Sequence, residues 1–184
     1  PGADDALRIN GIGQLVKDLG VEYVFPDRFN AAASTYTKID LPRGIGNQSM
    51  RVIKAAVEAD VRINLAVAKT HNVTKMTMCL KHMMGFLQQP GLLHSNLEQG
   101  IADLSTPSSM QAHLHILEAI RVRIPHGSFP TCAGPETDLT NPLVVSRRNK
   151  VIAGTDPVLV DSFGCVDLFD IQPQDLTHVL RAHE

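Results

Sequence analysis

The sequence predicts a single α/β domain over residues 1–184, built on a mainly parallel or mixed sheet with helices on both faces. Three observations predict it. Short β-rich runs alternate with helical periodicities along the chain, the pattern of a sheet covered by helices. With 184 residues, 43% of them apolar and 20% charged, the chain can bury one core and is too apolar for disorder. No internal repeat or low-complexity tract divides it.

Taken in order, Ile12, Leu15, Val16 and Leu19 recur at i, i+3, i+4 and i+7, the buried stripe of a helix, and Gly20 follows where a left-handed cap belongs. Val21 to Phe25 is a β-rich run stopped by Pro26, and Thr35 to Leu41 alternates before Pro42, so both are expected as strands. From Ser49 to Ala59 the apolar residues Met50, Ile53, Ala56 and Val57 keep helical spacing. Val61 to Val67 carries the strongest strand pattern, with Lys69, Thr70 and His71 expected in the loop after it. A helix is expected from Val73 to Met84, closed by Gly85, with Met76, Cys79, Leu80 and Met83 as its core stripe. Leu92 to Leu104 is expected as helix, Leu114 to Ile120 as strand and Pro125 to Pro142 as a long functional or mobile loop. Leu143 to Ala153 is the last strand; Asp156 and Pro157 mark a helix N-cap and first turn, and Pro173 to His183 is the final helix.

Charge and composition remove several functions. Lys+Arg 17 against Asp+Glu 19 leaves a formal charge of -2, without the basic footprint of a nucleic-acid binder. No apolar run reaches the roughly 18 residues of a membrane span. Cys79, Cys132 and Cys165 are far apart with no CxxC pair, which suits neither a disulfide framework nor a cluster cradle and points to a reducing, cytoplasmic setting. The opening Pro1-Gly2-Ala3-Asp4-Asp5 has no initiator Met and no export pattern, as in a processed or truncated end.

Ligands of open α/β sheets collect beyond the carboxyl ends of the strands. That rule singles out Lys69, Thr70 and His71, followed by Thr74, Thr77 and Lys81 at i, i+3 and i+7 of the expected helix. Ammonium groups, hydroxyls and the free N–H groups of a helix start together suit a phosphate or a carboxylate. Lys69, Thr70, Thr74, Thr77 and Lys81 are therefore the expected cofactor-binding residues, and His71 with Lys81 the expected catalytic pair. His71 with His94 is a candidate metal pair, and His113 with His115 a second one on an alternating strand. Asp156 with Asp161 is a candidate acid–base pair, and Asp103, Glu118 and Cys132 are single candidates. Each has an ordinary structural role beside it: a threonine cap, a solvated lysine, a core histidine.

The same residues occur in an order that is specific in combination. Ala59-Asp60-Val61-Arg62-Ile63-Asn64, Lys69-Thr70-His71, Thr77 with Lys81-His82 and Gly85, His94, Ala102-Asp103-Leu104, Gly134-Pro135, and the run from Val151 through Gly154-Thr155-Asp156-Pro157 to Asp161 follow one another. Together they resemble the uncharacterised bacterial domain-of-unknown-function family 362, from about Leu7 to the end. His82 stands where Asn is usual, Glu118 stands where Asp is common, and the family's opening strand is expected to be missing. The resemblance implies no activity; because members often carry a ferredoxin-like segment, it implies an iron–sulfur redox partner. A more distant similarity is to lactate-racemase-like proteins, in which a His and a Lys ten residues later tether a nickel-pincer nucleotide. His71 and Lys81 have that spacing, across Asn72 to Leu80 rather than a glycine-rich run.

The leading expectation is a module that binds a small anionic molecule or a phosphorylated or metal-containing cofactor after the central strand. One alternative is a metal- or cofactor-dependent enzyme of racemase, isomerase or redox type using His71 and Lys81. Another is a non-catalytic partner domain of an iron–sulfur redox protein. A homo-oligomer is compatible with all three, and neither nucleic acid nor membrane is expected as a partner.

Overall fold

The computed structural model describes residues 9, 11–22, 33–41, 43–45, 48–123 and 145–184. The expected loop from Pro125 to Pro142, with Cys132, lies outside them, as does most of the strand expected from Val21 to Phe25. Helix α1, Ile12–Leu19, ends as its spacing predicts: Gly20 is left-handed (φ 63, ψ 29), and Val21 N–H returns to Val16 C=O at 3.1 Å. Its apolar stripe is not buried against the described residues; Ile12, Leu15 and Leu19 remain 48–66% exposed.

Strands β1 (Tyr36–Asp40) and β2 (Ser49–Ile53) form a small antiparallel sheet with Tyr36 opposite Ile53. This corrects the helix expected from Ser49, which is confined to α2, Lys54–Glu58. Met50, Val52 and Ile53 fit a pleated surface, and pairing with β1 places Val52 at 0% exposure.

The main sheet holds β3 (Ile63–His71), β4 (Lys75–Thr77), β5 (Leu114–Arg123) and β6 (Val145–Gly154) in the order β4-β3-β5-β6. Only β3 and β5 run parallel, so the sheet is mixed. Along β3 burial alternates strictly: Asn64, Ala66, Ala68 and Thr70 face inward, and Ile63, Leu65, Val67 and Lys69 face outward. The helices over the inward face are α3 (Cys79–His82), α4 (Leu97–Leu104), α5 (Pro157–Phe169) and α6 (Thr177–His183). The outward face of β3 stays open among the described residues.

Two corrections bear on the site. Lys69, Thr70 and His71 are the last residues of β3 rather than a loop, and Asn72 to Thr74 turn the chain into β4, where Lys69 pairs with Thr77 and His71 with Lys75. The helix expected from Val73 is thereby cut to α3 and a 3₁₀ turn, Met83–Phe86. Val73, Thr74 and Thr77 are β-branched, and the free edge of β3 satisfies backbone groups that a helix start would leave open. Likewise Pro90–Asn96 is a 3₁₀ stretch before α4, and Pro173–Asp175 one before α6. The expected stripe Met76, Cys79, Leu80 and Met83 is nonetheless fully inside the core, with Ile101, Leu104, Leu117 and Leu168. At Gly164 a Cβ would lie 2.8 Å from Leu117 Cδ2, so the missing side chain lets α5 settle against the sheet.

Candidate functional site

The β3–β4 turn and α3 bring three of the expected residues into one hydrogen-bonded unit. Lys81 is 9% exposed, and its Nζ donates to Thr74 Oγ1 at 3.1 Å. Thr74 Oγ1 in turn donates to Met76 C=O at 2.8 Å, so the hydroxyl acts toward Lys81 as an acceptor. Nδ1 of His71 accepts the backbone N–H groups of Val73 (3.2 Å) and Thr74 (3.3 Å). A backbone N–H only donates, which fixes Nδ1 as the unprotonated nitrogen and leaves the proton on Nε2.

The local field is cationic. Burial lowers the pKa of His71, and Lys81, Lys69 and His94 lower it further. Burial, then the charge of Lys69, brings Lys81 down to about 8. His178, on α6, feels the same charges although nothing in its spacing suggested it: burial, then Lys81 and His71, lowers its pKa to about 4. Its one sequence signal is a polar residue between Leu176 and Val179 on the buried side of the last helix. His178 is 0% exposed, and neither ring nitrogen has a hydrogen-bond partner among the described residues. No carboxylate is among the groups that shift Lys81, His71 or His178.

The remaining expected residues stand as follows. Thr70 gives its hydroxyl proton to Arg123 C=O at 3.3 Å, tying β3 to β5. Thr77 is half-buried opposite Lys69 on β4. His94 is exposed, bonded near Gly91 C=O, and reaches His71 through its charge. Among the described residues no group of three His, Cys, Asp or Glu is placed to hold a metal ion.

The helix start expected to receive the anion is occupied from within the chain. Asp161 of α5, 0% exposed, accepts Cys79 N–H at 2.8 Å on Oδ1 and Leu80 N–H at 2.9 Å on Oδ2. Burial pushes its pKa up to about 7 against the lowering pull of those bonds. The first-turn amides of α3 are thus capped by a carboxylate brought close by Gly164, and a ligand must rely on side chains instead. Asp156 caps α5 through Val158 N–H and Leu159 N–H, so the two aspartates serve two separate helix starts and form no acid–base pair. His113 and His115 also part company. Nδ1 of His113 accepts Arg62 N–H, whereas buried His115 meets Asn64 Nδ2 at 3.0 Å, and Asn64 Oδ1 meets His82 Nδ1 at 2.6 Å. A polar cleft opens there, at the opposite end of β3 from Lys69 and His71, lined by Arg43, His115, Thr155, Asp156 and His183.

A family model described as Domain of unknown function (DUF362) matches residues 1–166. No curated protein and no solved structure matches, so the similarity to lactate-racemase-like proteins finds no support in these comparisons.

Proposed function

The chain belongs to the DUF362 family, and because that membership names no activity, we propose from the chemistry of the site that it binds a small anionic molecule or cofactor at Lys69, His71 and Lys81. One observation carries this: Lys81 is 9% exposed, and among the described residues its hydrogen bond is to a neutral hydroxyl and no carboxylate acts on it. A buried ammonium without a counter-ion is costly unless something anionic completes its surroundings. Lys69 adds a second charge, His71 Nε2–H adds a directed donor, and Thr74 holds the Lys81 amine in place. Thr70 and Thr77 frame the strand end from β3 and β4. Buried, unpaired Cys79 and Cys165 accord with a cytoplasmic setting.

The test is binding of a panel of small carboxylates and phosphates to the wild-type chain and to Lys81→Met. The wild type binds at least one of them, and Lys81→Met loses about tenfold or more of that affinity while melting at a similar temperature. Equal binding by the two chains would remove Lys81 from the site. A second reading adds catalysis: an amine whose pKa lies at about 8 is partly unprotonated near neutrality and, beside His71, is equipped to move a proton. A metal-dependent form of that reading rests on His71 and His94 and is checked by the metal content of the native protein.

A further inference from the structure

Asn64, 3% exposed near the start of β3, fixes the protons of two imidazoles. Cys79 C=O can only accept, and it receives Asn64 Nδ2–H at 2.9 Å, which settles which end of the side-chain amide is nitrogen. The other N–H of that amide meets His115 Nδ1 at 3.0 Å, so Nδ1 is an acceptor and a neutral His115 carries its proton on Nε2. Asn64 Oδ1 takes the Nδ1 proton of His82 at 2.6 Å. His115 itself is 1% exposed, and its Nε2 has no hydrogen-bond partner among the described residues. Burial lowers its pKa against the pull of the Asp156 charge and the Ala112 carbonyl, which keeps the ring neutral near neutrality. Buried polar atoms of native proteins are nearly always bonded, so a donor aimed by the core and left idle calls for an acceptor from elsewhere.

The ring lines a cleft of about 390 Å³, within the size range of small-molecule sites. Its Nδ1 is turned to Asn64 in the core, which leaves Nε2 as the nitrogen for the cleft. Asp156, on the same cleft, offers the complementary group: its Oδ1 receives both Val158 N–H and Leu159 N–H, and Oδ2 remains to accept from a ligand. Arg43 brings one full positive charge and Asp156 one negative, so the cleft as a whole favours neither an anion nor a cation. Part of the Arg43 fork is also spent on Glu184 C=O at 3.0 Å. A neutral imidazole N–H is a donor suited to a carbonyl oxygen, and a carboxylate oxygen beside it is suited to an N–H. A carboxamide carries both groups side by side. A carboxylate has no N–H for Asp156 and repels it.

We propose that this cleft is a ligand site separate from Lys81, and that it takes a neutral carboxamide whose C=O accepts His115 Nε2–H and whose N–H donates to Asp156 Oδ2. Nε2 is closed to water in the free chain, and the ligand reaches it by settling past the exposed rim side chains Thr155 and His183. The full chain, labelled with ¹⁵N in its histidine rings, is titrated with benzamide, benzoate and benzyl alcohol, three probes of similar shape that differ in the group they present. In the free chain His115 should show an unprotonated Nδ1 and a protonated Nε2. Benzamide should move the Nε2 signal and bind about tenfold or more tightly than either of the other probes. Asp156→Asn keeps an oxygen for the helix cap and removes the charge, so it should narrow the preference for benzamide over benzoate. His115→Phe should lose about tenfold of the benzamide affinity, and if that variant fails to fold the wild-type ring signals decide. A proton on Nδ1, His115 signals that stay still at saturating benzamide, or benzoate or benzyl alcohol bound as tightly as benzamide would each overturn the inference. Failure of benzamide to bind would overturn it too, and would leave the Lys81 site standing.

Discussion

Two buried polar regions lie next to each other on α3, and they are opposites. At its first turn the Asp161 carboxylate meets the Cys79 and Leu80 amides at 2.8 and 2.9 Å, so that acceptor and donors are matched inside the core. At its third residue Lys81 has, among the described residues, a neutral hydroxyl partner, and no described carboxylate acts on it, on His71 or on His178. The two regions share a short helix and a low dielectric. Where buried polar groups are saturated by the chain they act as fasteners, and where they are left with one sign of charge they form the site proposed to take an anion.

The contrast makes unequal demands on stability. Asp161→Ala should produce the largest loss, about 4 kcal/mol in urea unfolding, because it removes two charge-assisted bonds and leaves two amides buried and unpaired. A loss under about 1 kcal/mol would make the fastener reading wrong.

The next largest effect is on pH dependence. The folded-state pKa of His178, about 4, lies below the ordinary 6.5. The stability gained from its neutral ring is therefore present above 6.5 and lost as pH falls toward 4, a change of about 3 kcal/mol. Asp161 works in the other sense: with its pKa raised from 3.8 to about 7, its protonated form favours the fold at low pH, and that gain disappears as pH rises through 7. The two opposing slopes flatten the wild-type curve. Subtracting the curve of His178→Phe isolates the histidine: wild type should weaken relative to the variant from pH 6.5 to 4. Parallel curves would show that the ring is not held neutral.

The smallest effect separates positioning from charge. Thr74→Val removes the acceptor of Lys81 while keeping its shape, and should cost about 1 kcal/mol of stability and a few-fold in anion affinity. A variant as tight as wild type would show that Lys81 is oriented by other contacts.

Much of this was legible in the sequence, for identifiable reasons. Gly20, Asp156 and Pro157 are local signals of helix ends, and each sits where its chemistry puts it. The run from Val61 marked the strand but ended it at Val67, short of His71, and Thr74 and Lys81 meet although no helix joins them. The spacing i, i+3, i+7 misled because Thr74 lies in a turn and Thr77 on an edge strand, and that pairing with β3 is a tertiary event absent from the local pattern. The same holds for Met50 to Ile53, whose helical spacing gives way to pairing with β1. Asp161 reaches Cys79 across 82 residues, and the charge of Lys81 is felt by His178 on the last helix; no short-range spacing encodes either.

The most direct measurement is the titration of the Lys81 amine, followed through its labelled ε-carbon by NMR, with and without inorganic phosphate. A site of buried, unbalanced positive charge predicts a free-state pKa near 8 that rises when phosphate binds. An amine that titrates at the ordinary 10.5 and ignores phosphate would contradict it.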